Sequence, residues 1–274
     1  MSQPILQLEG VTVETTDGGP APLLEDISLE LEVGDVIGVV GEAGAGKTLL
    51  VRTVLQLLPE NLRLTRGRVR LKGTDLGTLS EAELRRLRGT ELAPILPDAK
   101  SQLNPLLRVG DMMTAVLRTR EKVSRKEARE RAAVLLQTVG ITDPTRRLEA
   151  YPHELSGGMA QRVCIALALM HSPSVIIADE PTAGLDVTVQ RQVMDLMAGL
   201  VRARDAAQLI VTRDLGIVAH YCGRVAVMRG GRIVEMAPTI ELFDSPRHPH
   251  TRELLKAARR EGVVRRSQTV AERA

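Results

Sequence analysis

The chain has 274 residues, room for one ordinary core or a core with a subdomain. Its 37 Lys and Arg against 34 Asp and Glu leave a net charge of +3, too slight an excess to imply nucleic acid, and Cys164 and Cys222 match no disulfide or metal spacing, which fits a reducing compartment. No stretch approaches the roughly 18 apolar residues of a membrane span, and no basic segment leads into an apolar run at the start, so neither a span nor a signal peptide is expected.

Residues 5–13 alternate as a half-buried strand does, and Thr15 to Pro22 reads as a loop around Gly18-Gly19-Pro20. Leu24 to Val33 alternates again, and Asp35 to Val40 is a short buried strand. It runs into Gly41-Glu42-Ala43-Gly44-Ala45-Gly46-Lys47-Thr48, after which a helix extends from Leu49 toward Pro59. Gly67 to Lys72 is a further strand, and Ser80 with Glu83 forms a capping box for a helix to about Arg88. From Glu91 to about Gln161 prolines punctuate helical segments, one capped by Ser124 and Glu127, and the stretch reads as a mostly helical insert in an α/β core. The core resumes with a helix from Val163, a strand Val175–Ala178, a helix Val187–Arg204, a strand Leu209–Thr212 and a helix Leu215–Tyr221. Val225–Met228 and Ile233–Met236 make a hairpin through Gly230-Gly231, two short helices near Thr239–Phe243 and Thr251–Arg259 follow, and the last dozen residues read as a frayed tail.

Three motifs carry chemistry. Gly41 to Thr48 fits G-x-x-x-x-G-K-[ST] between a strand and a helix, the context a phosphate-binding loop needs. Glycines let backbone N–H groups turn in around a phosphate, the helix N-terminus adds partial positive charge, Lys47 can reach the terminal phosphates and Thr48 can ligate Mg²⁺. Val175 to Glu180 is an apolar strand ending in Asp179 and Glu180. One carboxylate can hold Mg²⁺ and the next can polarise an attacking water. Ser156-Gly157-Gly158 opening a helix is a second anion-binding N-terminus.

Together these motifs resemble the ATP-binding subunits of ATP-binding-cassette (ABC) transporters over nearly the whole length: Walker A at 41–48, signature at 155–159, Walker B at 175–180 and a D-loop ending at Asp186. Ser101 to Pro105, Tyr151 to Met159, Leu185 to Gln190 and the tail Phe243 to Leu255 are similar to the peptide/nickel importer branch. The resemblance implies an α/β P-loop NTPase (RecA-like) core with an N-terminal antiparallel β subdomain and a helical signature subdomain. It divides the chain into a first part of the core at 1–90, a helical part at 91–160, a second core part at 161–236 and a C-terminal extension at 237–274. It implies ATP and Mg²⁺ held by residues 41–48 and Asp179, with Glu180 as the base. Ser156, Gly157, Gly158 and Asp186 would act across a head-to-tail pair of cassettes. It also implies two permease subunits, an extracytoplasmic solute-binding protein and a peripheral place on the cytoplasmic face of the membrane. The tail lacks the cysteine cluster that some such cassettes carry, so no iron–sulfur cluster is expected, and His248-Pro249-His250 reads as plain surface.

Three positions depart from the family pattern. Its Q-loop glutamine falls at Pro97, its switch histidine at Arg213 and its adenine-stacking aromatic at Thr15, with no aromatic anywhere before Tyr151. Mg-ATP is still expected to bind, but this site is expected to turn over slowly. The partner is then a second, non-identical cassette whose nucleotide the intact signature serves. A soluble ABC ATPase of translation or repair would bring a second cassette or a long coiled coil, neither of which is evident. A non-hydrolysing nucleotide-binding regulatory subunit is the other alternative.

Overall fold

The computed structural model describes residues 3–19 and 21–260. Two sheets share the chain. The smaller is antiparallel, in the order β2-β1-β4-β5, from β1 (Leu6–Thr15), β2 (Leu24–Leu31), β4 (Leu62–Leu71) and β5 (Thr74–Asp75). The larger has the order β10-β9-β3-β8-β7-β6, from β3 (Val36–Val40), β6 (Leu92–Ile95), β7 (Val175–Asp179), β8 (Ala207–Thr212), β9 (Arg224–Arg229) and β10 (Arg232–Pro238). In it β9, β3, β8, β7 and β6 run parallel, and β10 closes the edge antiparallel through the Gly230-Gly231 turn. Both turn glycines have positive φ, as a two-residue hairpin turn requires.

The strand sequences explain the layering. β3, β7 and β8 are nearly continuous apolar runs, buried almost throughout, because both faces of a parallel sheet are covered. One face packs against α1 (Lys47–Val54) and the antiparallel sheet, in a core that includes Ile37, Val39, Leu50, Val54, Ile177, Leu209 and Val211. The other meets α7 (Gly157–Ala168), α8 (Val187–Arg204) and α9 (Leu215–Tyr221). That second core runs on without a break into the helical arm formed by α3 (Ala99–Gln102), α4 (Val109–Arg118), α5 (Arg125–Thr138) and α6 (Pro144–Leu148). On β2 the alternation Leu24, Ile27, Leu29, Leu31 points inward and the residues between lie outside, as a half-buried strand demands.

The helix α2 (Glu81–Leu87) carries the expected capping box, with Ser80 Oγ accepting from Glu83 N–H and the Glu83 carboxylate accepting from Ser80 N–H. Four expectations need correction. β4 begins at Leu62, not Gly67, because Leu62 and Leu64 pair with Thr15 and Val13 of β1. The stretch after Glu91 opens not with a helix but with β6, which belongs to the core sheet. Pro94 masks it, and is tolerated because β6 is an edge strand with one side unpaired. The helix opened by Ser156-Gly157-Gly158 and the one expected from Val163 are a single helix, α7, which starts at Gly157 as the signature motif implies. The tail histidines are not both surface: His250 opens onto the core, 2 % exposed, because α11 (Pro249–Arg260) docks through Thr251, Leu255 and Ala258 after α10 (Thr239–Asp244). The expected frayed tail lies outside the described residues. No helix among the described residues is long and apolar enough to cross a membrane.

Candidate functional site

The carboxyl ends of the parallel strands bring the predicted residues together, as the rule for ligand sites on open α/β sheets leads one to expect. β8 lies between β3 and β7, so Val40 sits beside Thr212, and Asp179 beside Val211. The phosphate loop leaves β3 at Gly41 and enters α1 at Lys47. Gly46 caps that helix at φ +101°, a backbone only glycine adopts without strain, and no side chain caps it. First-turn N–H groups therefore stay available for an anion. Lys47 is nearly buried, and its Nζ donates to the carbonyls of Gly41 at 2.6 Å and Glu42 at 2.9 Å. Burial, helped by Arg213, pulls its pKa below the ordinary lysine value against the opposing charges of Glu180 and Asp179. The remaining loop residues, Ala43, Gly44 and Ala45, complete the turn, with Ala45 N–H donating to Glu42 C=O and Ala45 C=O accepting from Gly231 N–H.

Across β8 stands the acidic pair. Asp179 is 2 % exposed, and burial, reinforced by the neighbouring Glu180 charge, holds its pKa above the ordinary carboxylate value. A hydrogen bond from the Thr48 hydroxyl and the charge of Lys47 work the other way. A buried carboxylate joined to a hydroxyl at the mouth of a phosphate loop fits a hard divalent cation, whose other ligands would be water and phosphate oxygens. Thr48 and Asp179 would hold it, and it would supply charge neutralisation for the phosphates. Asp179→Asn removes a desolvated charge. It should raise the melting temperature of the nucleotide-free chain by roughly 2–4 °C, read by calorimetry, while weakening Mg²⁺-dependent nucleotide binding at least about tenfold by titration.

Glu180 lies one residue beyond, in the left-handed region at φ +46°, and its N–H donates to Val211 C=O at 2.8 Å. Such strain at a non-glycine residue persists only where its surroundings over-determine it. Both carboxylate oxygens are engaged: Oε2 accepts from Thr212 Oγ1 at 3.2 Å and Oε1 from Arg213 Nε at 3.1 Å. Arg213 thus lies directly on Glu180, and its side chain is itself 67 % exposed.

The signature forms a separate exposed surface. Ser156 caps α7, its Oγ accepting from Met159 N–H at 3.2 Å, and Ser156 and Gly157 are open to solvent. Gly158 must lack a side chain, since a Cβ there would fall 2.6 Å from Val189 Cγ1. Asp186 caps α8 through Val189 N–H at 3.0 Å, so the signature and the D-loop stand side by side. Thr15 ends β1, where its Oγ1 accepts from Gly19 N–H at 2.8 Å and closes a tight turn. Pro97 follows β6, beside the strand that carries Asp179.

Two partners are not evident in the sequence. Thr212 holds Glu180 and also accepts from Asp214 N–H, and Asp214 caps α9 while accepting from Gln190 Nε2 at 2.8 Å, which ties the switch segment to α8. Asp214 before Leu215-Gly216 is a recognisable N-cap, but its second bond, to Gln190, is visible only in three dimensions.

An ABC transporter family model matches residues 24–183. The dipeptide transport ATP-binding protein DppD of Bacillus subtilis is 40% identical over 253 residues, covering 92% of this chain and 76% of its own. The oligopeptide transport ATP-binding protein OppD of the same organism is 43% identical over 241 residues, covering 88% and 67%. Among solved structures, cbiO1 of Clostridium perfringens, part of the ABC transporter complex cbiONQ, superposes with a TM-score of 0.77 at 27% identity, over 95% of this chain and 98% of that one. The cassette MJ0796, solved as a post-hydrolysis dimer bound to ADP and Pi, superposes with a TM-score of 0.75 at 25% identity, covering 85% and 98%. With a phosphate loop, an acidic strand end and a capped signature on the matching fold, the chain belongs to the ABC transporter family, as an ATP-binding cassette and ABC-type ATPase.

Proposed function

We propose that this chain is the nucleotide-binding subunit of an importer for peptides or a similar small solute, and that its own Walker site holds Mg-ATP more than it hydrolyses it. The relatives named for dipeptide and oligopeptide transport support the solute class. On this reading the chain pairs head to tail with a second, non-identical cassette beneath two permease subunits, on the cytoplasmic face of the membrane, and an extracytoplasmic binding protein delivers the solute. Lys47, Thr48 and Asp179 bind the triphosphate and its metal, and Ser156, Gly157 and Gly158 complete the partner's site, with Asp186 beside them.

The ion pair between Arg213 and Glu180 carries the division of labour. A guanidinium cannot be deprotonated, so it cannot take or relay a proton as an imidazole can. By occupying Glu180 Oε1 it also removes a lone pair from the base. Pro97 offers no side-chain oxygen to a metal, and Thr15 no ring to a base. Losing one preorganised transition-state group can cost on the order of 10²–10³ in rate, and two are changed here. In the assembled transporter, Glu180→Gln should leave solute-stimulated ATPase within about twofold of the wild type. A loss of about tenfold or more from that change alone would show that this site does the hydrolysis.

A further inference from the structure

The chain leaves the core sheet for the helical arm at Ile95, the end of β6, and returns through α7 to β7. The outward link is therefore the short segment 96–98 before α3. From Leu96 to Ala99, the link and the first residue of α3, four consecutive carbonyls are each held by a side chain. Gln102 Nε2 donates to Leu96 C=O at 2.6 Å and to Pro97 C=O at 3.1 Å. Ser101 Oγ donates to Asp98 C=O at 2.9 Å, and the buried Cys164 Sγ of α7 donates to Ala99 C=O at 3.4 Å. Both ends are anchored as well, since Ile95, Ala99 and Leu103 are buried in the core that spans sheet and arm. Proline at 97 fixes its own φ and has no N–H to exchange partners with. Asp98 sits at φ +57°, a conformation that a mobile link would leave.

We infer that Gln102 is a positioning residue that locks this link, so that in this chain the helical arm is held in one orientation to the nucleotide core. A carboxamide nitrogen carries two N–H groups at the end of a flexible stem, the donor set that two neighbouring carbonyls require. The glutamine missing at 97 thus has a counterpart five residues on, with both of its donors spent on the loop backbone. The link sits next to β7, which carries Asp179, and α7, which it grips through Cys164, begins at the signature. Gln102 therefore couples the two surfaces that touch nucleotide without lying in either. None of this depends on which ATP site turns over.

Amide hydrogen exchange on the full-length chain tests the lock. Gln102→Ala should speed exchange across 99–103 by about tenfold or more, with the amides of α5 unchanged, because only a local opening has been made easier. Gln102→Glu keeps the length but sets acceptor against acceptor, and should open the link equally. Gln102→Lys restores a donor and should return exchange to within about threefold of the wild type. ATP affinity should stay within about twofold in all three. If Gln102→Glu is as protected as the wild type, or if α5 loosens in step, the inference is wrong. The wild type alone provides a check should a variant fail to fold: the amides of 99–103 must exchange more slowly than those of the exposed segment 104–107, and equal rates overturn the lock.

Discussion

Gly157→Asp is expected to cut the ATPase of the assembled transporter by about 10²-fold or more while leaving this chain fully folded. The two effects separate because they have different causes. Gly157 is exposed, and a Cβ there would meet Leu185 Cδ2 at 3.6 Å, an ordinary contact. An acidic residue in the first turn of α7 even favours the helix, by about 0.3–1 kcal/mol through the dipole. The fold should therefore keep or slightly raise its melting temperature. The same carboxylate, however, takes the place that a phosphate of the partner's nucleotide would approach. It neutralises the N-terminal partial charge and repels the anion. Thermal melting and steady-state ATPase on the same preparation decide the matter. Retained ATPase with retained stability would remove the signature of this chain from the working site.

The second large effect runs upward. In a transporter whose partner cassette has lost its own catalytic carboxylate, Pro97→Gln with Arg213→His should raise the residual ATPase by at least about tenfold. The pair between Arg213 and Glu180 is solvent-exposed on the arginine side, so it adds no more than about 1 kcal/mol to stability, and its loss should scarcely move the melting point. Its chemical consequence is larger, because it fixes the charge environment of the carboxylate proposed as the base. Histidine frees Glu180 Oε1 and supplies a group that changes charge near neutral pH. Arg213→His alone should recover part of the gain. If both changes leave the residual rate flat, the deficit lies elsewhere, and the missing aromatic at Thr15 becomes the remaining candidate.

Much of the site was legible because its chemistry depends on local spacing. A glycine-rich loop between a buried strand and a helix, two acids at a strand end and a serine before two glycines each state a structure within about ten residues. The helices that follow β7 and β8 were legible for the same reason, with α8 and α9 found to the residue. What stayed hidden was non-local. β6 could not be read because Pro94 breaks the strand signal, and only the edge position makes proline acceptable there. His250 looked like surface because nothing nearby says that Leu255 and Ala258 turn α11 onto the core. The grip of Gln102 on Leu96 and Pro97 and the bond of Gln190 to Asp214 are side-chain choices that no periodicity records. The Arg213–Glu180 contact lies between: the odd residue was plain in the sequence, but not that it would settle on the base.

The order of strands in the larger sheet has a consequence for how the molecule is made. β3, whose end becomes the phosphate loop, finds its two neighbours in β8 and β9, so residues in the thirties wait for residues beyond 206 and 223. The loop also leans on the hairpin turn that follows β9, through the bond from Gly231 N–H to Ala45 C=O. Such distant pairing is slow to form and costs loop-closure entropy before any contact rewards it. During synthesis the phosphate loop is thus made well before the strands that give it a shape. A ribosome that stalls before the final hairpin releases a chain with every motif written and no nucleotide site, its apolar strands open to aggregation.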